Sequence, residues 1–194
     1  MTPQNFELIK TKYQFWSSWA IWAEQGDAPK SNIGDLSILD PKFNSNLLNQ
    51  LNPNIVLVAL NISRGDITLP WGNFHDARSE ATDYKIRFAL KDTPLWGSYM
   101  TDIIKDFEEK MSGKVKKFLK DNRDFEKQNV EFFLKELCDI GATNPTLIAF
   151  GNDAFDILKR NLNEEFKVLK VPHYANYLGK EKYREQVIAM SKAT

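Results

Sequence analysis

The stretch NIVLVALNISRG, residues 54–65, constrains the fold more than any other part of the chain. Residues 55–60 are apolar without interruption and rich in β-branched side chains, the pattern of a strand buried on both faces of a parallel sheet. Such a strand needs helical cover on both sides, so the segment predicts an α/β domain. The run stops at Asn61, Ser63, Arg64 and Gly65. These lie at the carboxyl end of the strand, the edge at which open α/β sheets hold their ligands.

The rest of the chain alternates in the same sense. NPTLIAFG (144–151) predicts a second buried strand, followed directly by a helix with Asn152 or Asp153 as N-cap. GSYMTDIIK (97–105) predicts a strand ending near Thr101 and Asp102, and FKVLKVPHYANY (166–177) one that runs into a polar turn. Helices are predicted over 83–91, in the charged region 105–120, over 125–140 with Gly141 as C-cap, and at the carboxyl terminus. The expected fold is a three-layer α/β/α sandwich around a short, mainly parallel four-stranded sheet. One domain is expected over 1–194, with 1–53 as a helical and loop cover and 54–194 as the α/β core.

In the cover, Phe6, Tyr13, Phe15, Trp16, Trp19 and Trp22 recur mostly three or four apart, which predicts an amphipathic helix over 3–23. Its bulky face is expected to pack on the core, the alternative being a surface for a protein partner. A turn-rich loop over 26–41 and a short helix over 43–51 precede the first sheet strand. The 62–82 loop has no periodicity but contains Arg64, Trp71, Phe74, His75, Asp76 and Arg78. Loops of this length inside a compact domain are more often functional than idle.

Composition narrows the function. Lys plus Arg equals Asp plus Glu at 26 each, so no global field draws the chain to nucleic acid or anionic lipid, and any such contact needs a local patch. The lone Cys138 can form no intrachain disulfide or Cys-rich metal centre, and its place in EFFLKELCDIG predicts a buried packing role. The His75–Asp76 pair, in a chain with two histidines, has no metal-ligand spacing. No G-x-G-x-x-G follows the first strand, so neither metal nor cofactor is expected. The amino terminus has no leader pattern, and no segment approaches the roughly 20 apolar residues of a membrane span. A cytoplasmic protein is expected.

The ordered motifs suggest a family. LNISRG at the first strand end resembles the first motif of the uracil-DNA glycosylase superfamily, which has variants such as G-Q-D-P-Y, G-E-A-P-G and G-I-N-P-G. VPHYAN resembles the second motif, commonly H-P-S, after the last strand. YMTDIIK looks like the strand that often reads T-N-x-V-K, and TLIAFGNDAFDIL like the family's strand–Gly–helix segment. The set covers roughly residues 54–190.

The resemblance implies roles residue by residue. Asn61 matches the Asn that orients the attacking water, a task suited to an amide carbonyl. His173 matches the His that donates to the base oxygen as the glycosidic bond breaks, a contribution of about 3–4 kcal/mol for a preorganised donor. Phe74 matches no motif and is the candidate floor for a flipped base by its position in the 62–82 loop, stacking there being worth roughly 1–3 kcal/mol. Asp102, Tyr174 and Asn176 complete the base-binding set, and Ser63 and Arg64 are candidate phosphate contacts. The chain departs from the pattern at Ile62 in place of Pro, at Asp102 in place of the base-reading Asn, and at Tyr174 and Ala175 in place of Pro and Ser. An ionised Asp102 has only acceptors, which disfavours uracil and favours an amino-bearing or cationic base. The expectation is metal-free N-glycosidic hydrolysis of a flipped damaged or modified base in DNA. The alternative is a non-catalytic module on the same fold that binds a nucleotide, base or protein.

Overall fold

A computed structural model describes residues 1–63, 67–105 and 107–192. The elements in order are α1 (Pro3–Tyr13), β1 (Ser17–Trp19), a 3-10 turn (Leu36–Leu39), α2 (Leu47–Gln50), β2 (Asn52–Asn61), α3 (Tyr84–Leu90), β3 (Ser98–Ile104), α4 (Ser112–Asp121), α5 (Arg123–Asp139), β4 (Thr146–Phe150), α6 (Asn152–Asn161), β5 (Lys167–Val171) and α7 (Lys180–Ser191). The strands form one sheet in the order β1-β3-β2-β4-β5. β1 runs antiparallel to β3, and the other neighbours are parallel.

The apolar run behaves as its composition demands. Val56, Val58 and Leu60 of β2 join Leu147 and Ala149 of β4 in a core layer with residues of α1, α4, α5 and α6. Leu57, Ala59, Ile148 and Phe150 point the other way, into a layer with α3 and α7. Both faces of the central pair are therefore dry, and area removed from water at about 25 cal/mol per Å² supplies the dominant favourable term. The chain leaves β2 for α3 on one face and leaves β4 for α6 on the other. Neighbouring parallel strands with departing helices on opposite faces open a crevice between their carboxyl ends.

Five strands stand where four are expected, and the difference lies in residues 3–23. The helix there ends at Tyr13, and Ser17, Ser18 and Trp19 pair with Thr101, Met100 and Tyr99 as an edge strand. All three are buried, so the three-and-four spacing of the aromatic residues is shared between a helix and a strand and imitates one continuous helix. The bulky face packs inward: Phe6, Tyr13, Trp19 and Trp22 are core residues, while Phe15 is exposed. Residues 1–53 are thus part of the sheet as well as its cover, and β2 begins two residues before the expected boundary. The helix expected over 105–120 begins only at Ser112. Cys138 is exposed, a second correction: Phe133, Glu136, Leu137 and Ile140 make the buried stripe of this segment, and Cys138 falls outside it. No helix among the described residues is long and apolar enough to cross a membrane.

Gly97 fixes the start of β3. At φ +83° its N–H donates to the Ala20 carbonyl at 2.9 Å, and its own carbonyl accepts from the Asn52 N–H at 2.8 Å. A Cβ at this position would lie 1.9 Å from the Gln50 carbonyl oxygen. Gly97→Ala is expected to destabilise the protein by about 3 kcal/mol or more, combining left-handed strain with the clash, as read from urea unfolding midpoints.

Candidate functional site

The crevice is a cleft of about 890 Å³, within the range typical of small-ligand sites. Asn61, Ser63, Phe74, Asp102, His173, Tyr174 and Asn176 all line it. Arg64, the remaining candidate, lies outside the described residues. Phe74 and Asp102 are almost fully buried and form the floor, whereas Asn176 is exposed at the mouth.

Asn61 ends β2, and its amide nitrogen donates to the carbonyls of Ile62 at 3.1 Å, Phe107 at 3.1 Å and Glu109 at 2.8 Å. Three carbonyls around one end of the amide orient it, since only the NH2 group can face them. This side chain ties the loop after β3 to the end of β2. The amide oxygen accepts no hydrogen bond among the described residues, so it is available to a water or ligand.

His173 follows β5 by two residues. Gly151, at φ +90°, allows the end of β4 to pass close by: its N–H donates to the Val171 carbonyl at 2.8 Å, and a Cβ there would stand 3.3 Å from the His173 Cβ. The Ala175 N–H donates to Nδ1 at 3.1 Å, which makes Nδ1 an acceptor and leaves the proton of the neutral ring on Nε2. Burial pushes the His173 pKa down against the opposing pull of Asp153, so the neutral donor form is favoured. The ring stacks on Tyr174 at 4.4 Å; Tyr174 meets Phe150 edge-on at 5.3 Å, and Phe150 reaches Phe74 at 6.4 Å. These four rings form a continuous aromatic wall.

Asp102 does not carry the fixed charge expected of it. Burial pushes its carboxyl up to about 7, against the Asn73 hydrogen bond and the Lys105 charge, which favour ionisation. Near neutral pH it is shared between an acceptor-only carboxylate and a carboxylic acid with a donor. The ammonium of Lys105 is engaged elsewhere, 2.8 Å from the fully buried Glu136, which also accepts from Tyr99 Oη at 2.7 Å and Thr101 Oγ1 at 3.0 Å.

Sequence reasoning passed over Asn73. Its amide donates to Asp102 Oδ2 at 2.8 Å and to the Trp16 carbonyl at 3.0 Å, while its oxygen accepts from the Phe74 N–H at 3.1 Å. Phe74 is held at φ +63°, with its carbonyl accepting from Trp22 Nε1 at 3.3 Å. The available signal was an Asn directly before the aromatic candidate in a loop too long to be idle.

Charge is segregated around the site. The cleft carries the carboxyl groups of Asp76, Glu80, Asp83, Asp102, Glu109 and Asp153 against Lys110 and Lys170. An adjoining groove of about 360 Å³ shares Leu60 and Asp153 with it and is lined by Lys116, Lys117, Lys120, Arg123 and Arg160. Lys116 pairs with Asp153 at 3.0 Å, and Arg123 and Arg160 bind Glu126. Lys117 and Lys120 have no ion pair among the described residues. No group of three or more His, Cys, Asp or Glu side chains among the described residues could hold a metal ion.

The raised carboxyl gives a pH test. Between the ordinary Asp value near 3.8 and about 7 the folded protein keeps a proton that the unfolded chain releases, so stability falls as pH rises through this window. Asp102→Asn escapes that loss and can still accept from Asn73. Its stability relative to wild type is expected to increase from pH 4 to pH 8, by up to roughly 1.4 kcal/mol for each pH unit crossed inside the window, measured as urea midpoints across pH. Comparison with protein-family models, curated proteins and solved structures finds no match for this chain.

Proposed function

We propose that the cleft binds a heterocyclic base and carries the groups for metal-free hydrolysis of its N-glycosidic bond, the chemistry implied by the resemblance to uracil-DNA glycosylases. The observation that supports it is the gathering of Asn61 at the end of β2, Asp102 within β3, which runs on to Ile104 rather than ending near Asp102, and His173 after β5 around one cleft with an aromatic wall. Asn61 offers an amide oxygen with no hydrogen bond among the described residues to hold the water that attacks the sugar C1′; it orients rather than deprotonates. His173 offers Nε2–H to the oxygen of the departing base, where negative charge gathers. Phe74, Phe150 and Tyr174 supply the surface on which a ring packs.

DNA is the proposed polymer, and the groove beside the cleft is the local basic patch that a chain of zero net charge requires. A nucleotide whose ring enters the cleft over Leu60 leaves its backbone on the α4 side, near Lys117 and Lys120. The acidic mouth favours the second reading, a non-catalytic module for a free base or nucleoside, because carboxylates there repel phosphates.

The two readings part in one assay. Duplexes carrying uracil, hypoxanthine, xanthine, cytosine analogues or alkylated bases are incubated with enzyme and treated with alkali. Strand nicking on at least one, lost by about 100-fold or more in Asn61→Ala and His173→Ala, is expected of a hydrolase. Nucleoside-dependent thermal stabilisation without free base on any substrate would establish the binding module instead. For the polymer, log K against log salt should have a negative slope for a labelled duplex, and each of Lys117→Ala and Lys120→Ala should flatten it by roughly 0.9.

A further inference from the structure

Asn73 divides the two oxygens of Asp102 between the protein and the cleft. Its amide, held in place by the Trp16 carbonyl on one side and the Phe74 N–H on the other, donates to Oδ2. Oδ2 is therefore the acceptor oxygen in both protonation states, and any proton on the carboxyl sits on Oδ1. No described residue bonds Oδ1, and the carboxyl lies at the floor of the cleft. A ring reaching that floor meets one atom whose hydrogen-bonding sense depends on the proton.

We propose that Asn73 is the positioning residue that makes Asp102 a one-atom edge reader. With the proton present, Oδ1 donates to a ring carbonyl; with it absent, Oδ1 accepts from a ring amino group. The site then takes a lactam- or imide-edged base in mild acid and an amino-edged base in mild alkali. This rests on the reading of the cleft as a base-binding site.

The groups that set the proton come from four places around the carboxyl. Lys105, at the end of the same strand, and Asn73, in the loop after β2, favour ionisation. Glu136 on α5 and Asp83 ahead of α3 oppose it, and so does burial, the largest influence. Ala59 faces Asp102 across β2 and carries no charge. His173, on the same cleft, has its pKa held down by burial against the opposing pull of Asp153.

The test has a ligand-free arm and a ligand arm. Carboxyl-carbon NMR titration of the intact protein should place Asp102 near neutrality, and Asn73→Ala should move its midpoint up by about one pH unit, since the lost donor favoured the carboxylate. A merely structural asparagine would leave that midpoint unmoved. In the ligand arm, uridine and inosine are compared with cytidine and adenosine by calorimetry at about pH 5.5 and about pH 8.5, bracketing the titration. The preference for carbonyl edges should invert by about tenfold between the two pH values in wild type. Asp102→Asn, whose free amide always donates, should keep the carbonyl preference at both. An Asp102 midpoint in the ordinary carboxylate range, or one indifferent to Asn73, overturns the edge reader. Nucleosides that bind with a preference unmoved by pH overturn it while leaving the base-binding cleft standing. Failure of all four to bind, with the titration as expected, overturns it through the base-binding reading.

Discussion

Burial of both faces of β2 is the constraint on which the rest depends. A strand whose alternating side chains enter two separate core layers has no wet face on which to carry chemistry. Polar side chains can appear only where the strand emerges, and the parallel neighbours bring their own emerging ends to the same edge. Asn61, Gly151 and His173 are neighbours for this reason, although more than a hundred residues separate the first from the last. The opposite exits toward α3 and α6 then leave a gap between the ends of β2 and β4 that the core does not fill.

The polar layer between β3 and α5 is the second structural element of the site. Glu136 and Lys105 are both almost fully buried, a costly arrangement unless each charge is paired and hydrogen-bonded. Both conditions hold: Tyr99 and Thr101 satisfy one carboxylate oxygen, and the ammonium also donates to Thr101 Oγ1 and the Asp102 carbonyl. The network fastens β3 to α5 directly behind the floor of the cleft, so Asp102 is offered from a rigid strand. It also keeps the nearest cation occupied, which lets desolvation prevail over charge attraction at the Asp102 carboxyl.

What the sequence revealed follows the range of the interactions involved. β2, β4 and their following turns were legible because a continuous β-branched run next to Gly or Asn is a local pattern, and the strand-end candidates followed from it. β1 was hidden because aromatic residues three and four apart have the spacing of a helix whichever structure buries them; only the partner strand β3 decides between the two. Cys138 shows the same limit in α5, where a shift of one position around the helix separates the buried Leu137 from an exposed thiol. Asn73 could be seen as a turn residue but not as a partner of Asp102, 29 positions away. The charge state of Asp102 is further still from the sequence, because burial by many elements at once sets it.

The distribution of charge is a further consequence of the fold. A chain with equal numbers of acidic and basic residues places six carboxyl groups around the cleft and five cations around the groove next to it. Asp76 and Glu80 pair with Arg78, Glu109 with Lys114 and Asp153 with Lys116, so the field inside the cleft is weaker than the count implies. The remaining excess of carboxylates disfavours an anion inside the cleft, and Lys117 and Lys120 beyond Leu60, with no ion pair among the described residues, favour one in the groove. The proposed division of a nucleotide between ring and phosphate rests on this separation of the aromatic wall and the Asp102 carboxyl from the lysines beyond Leu60.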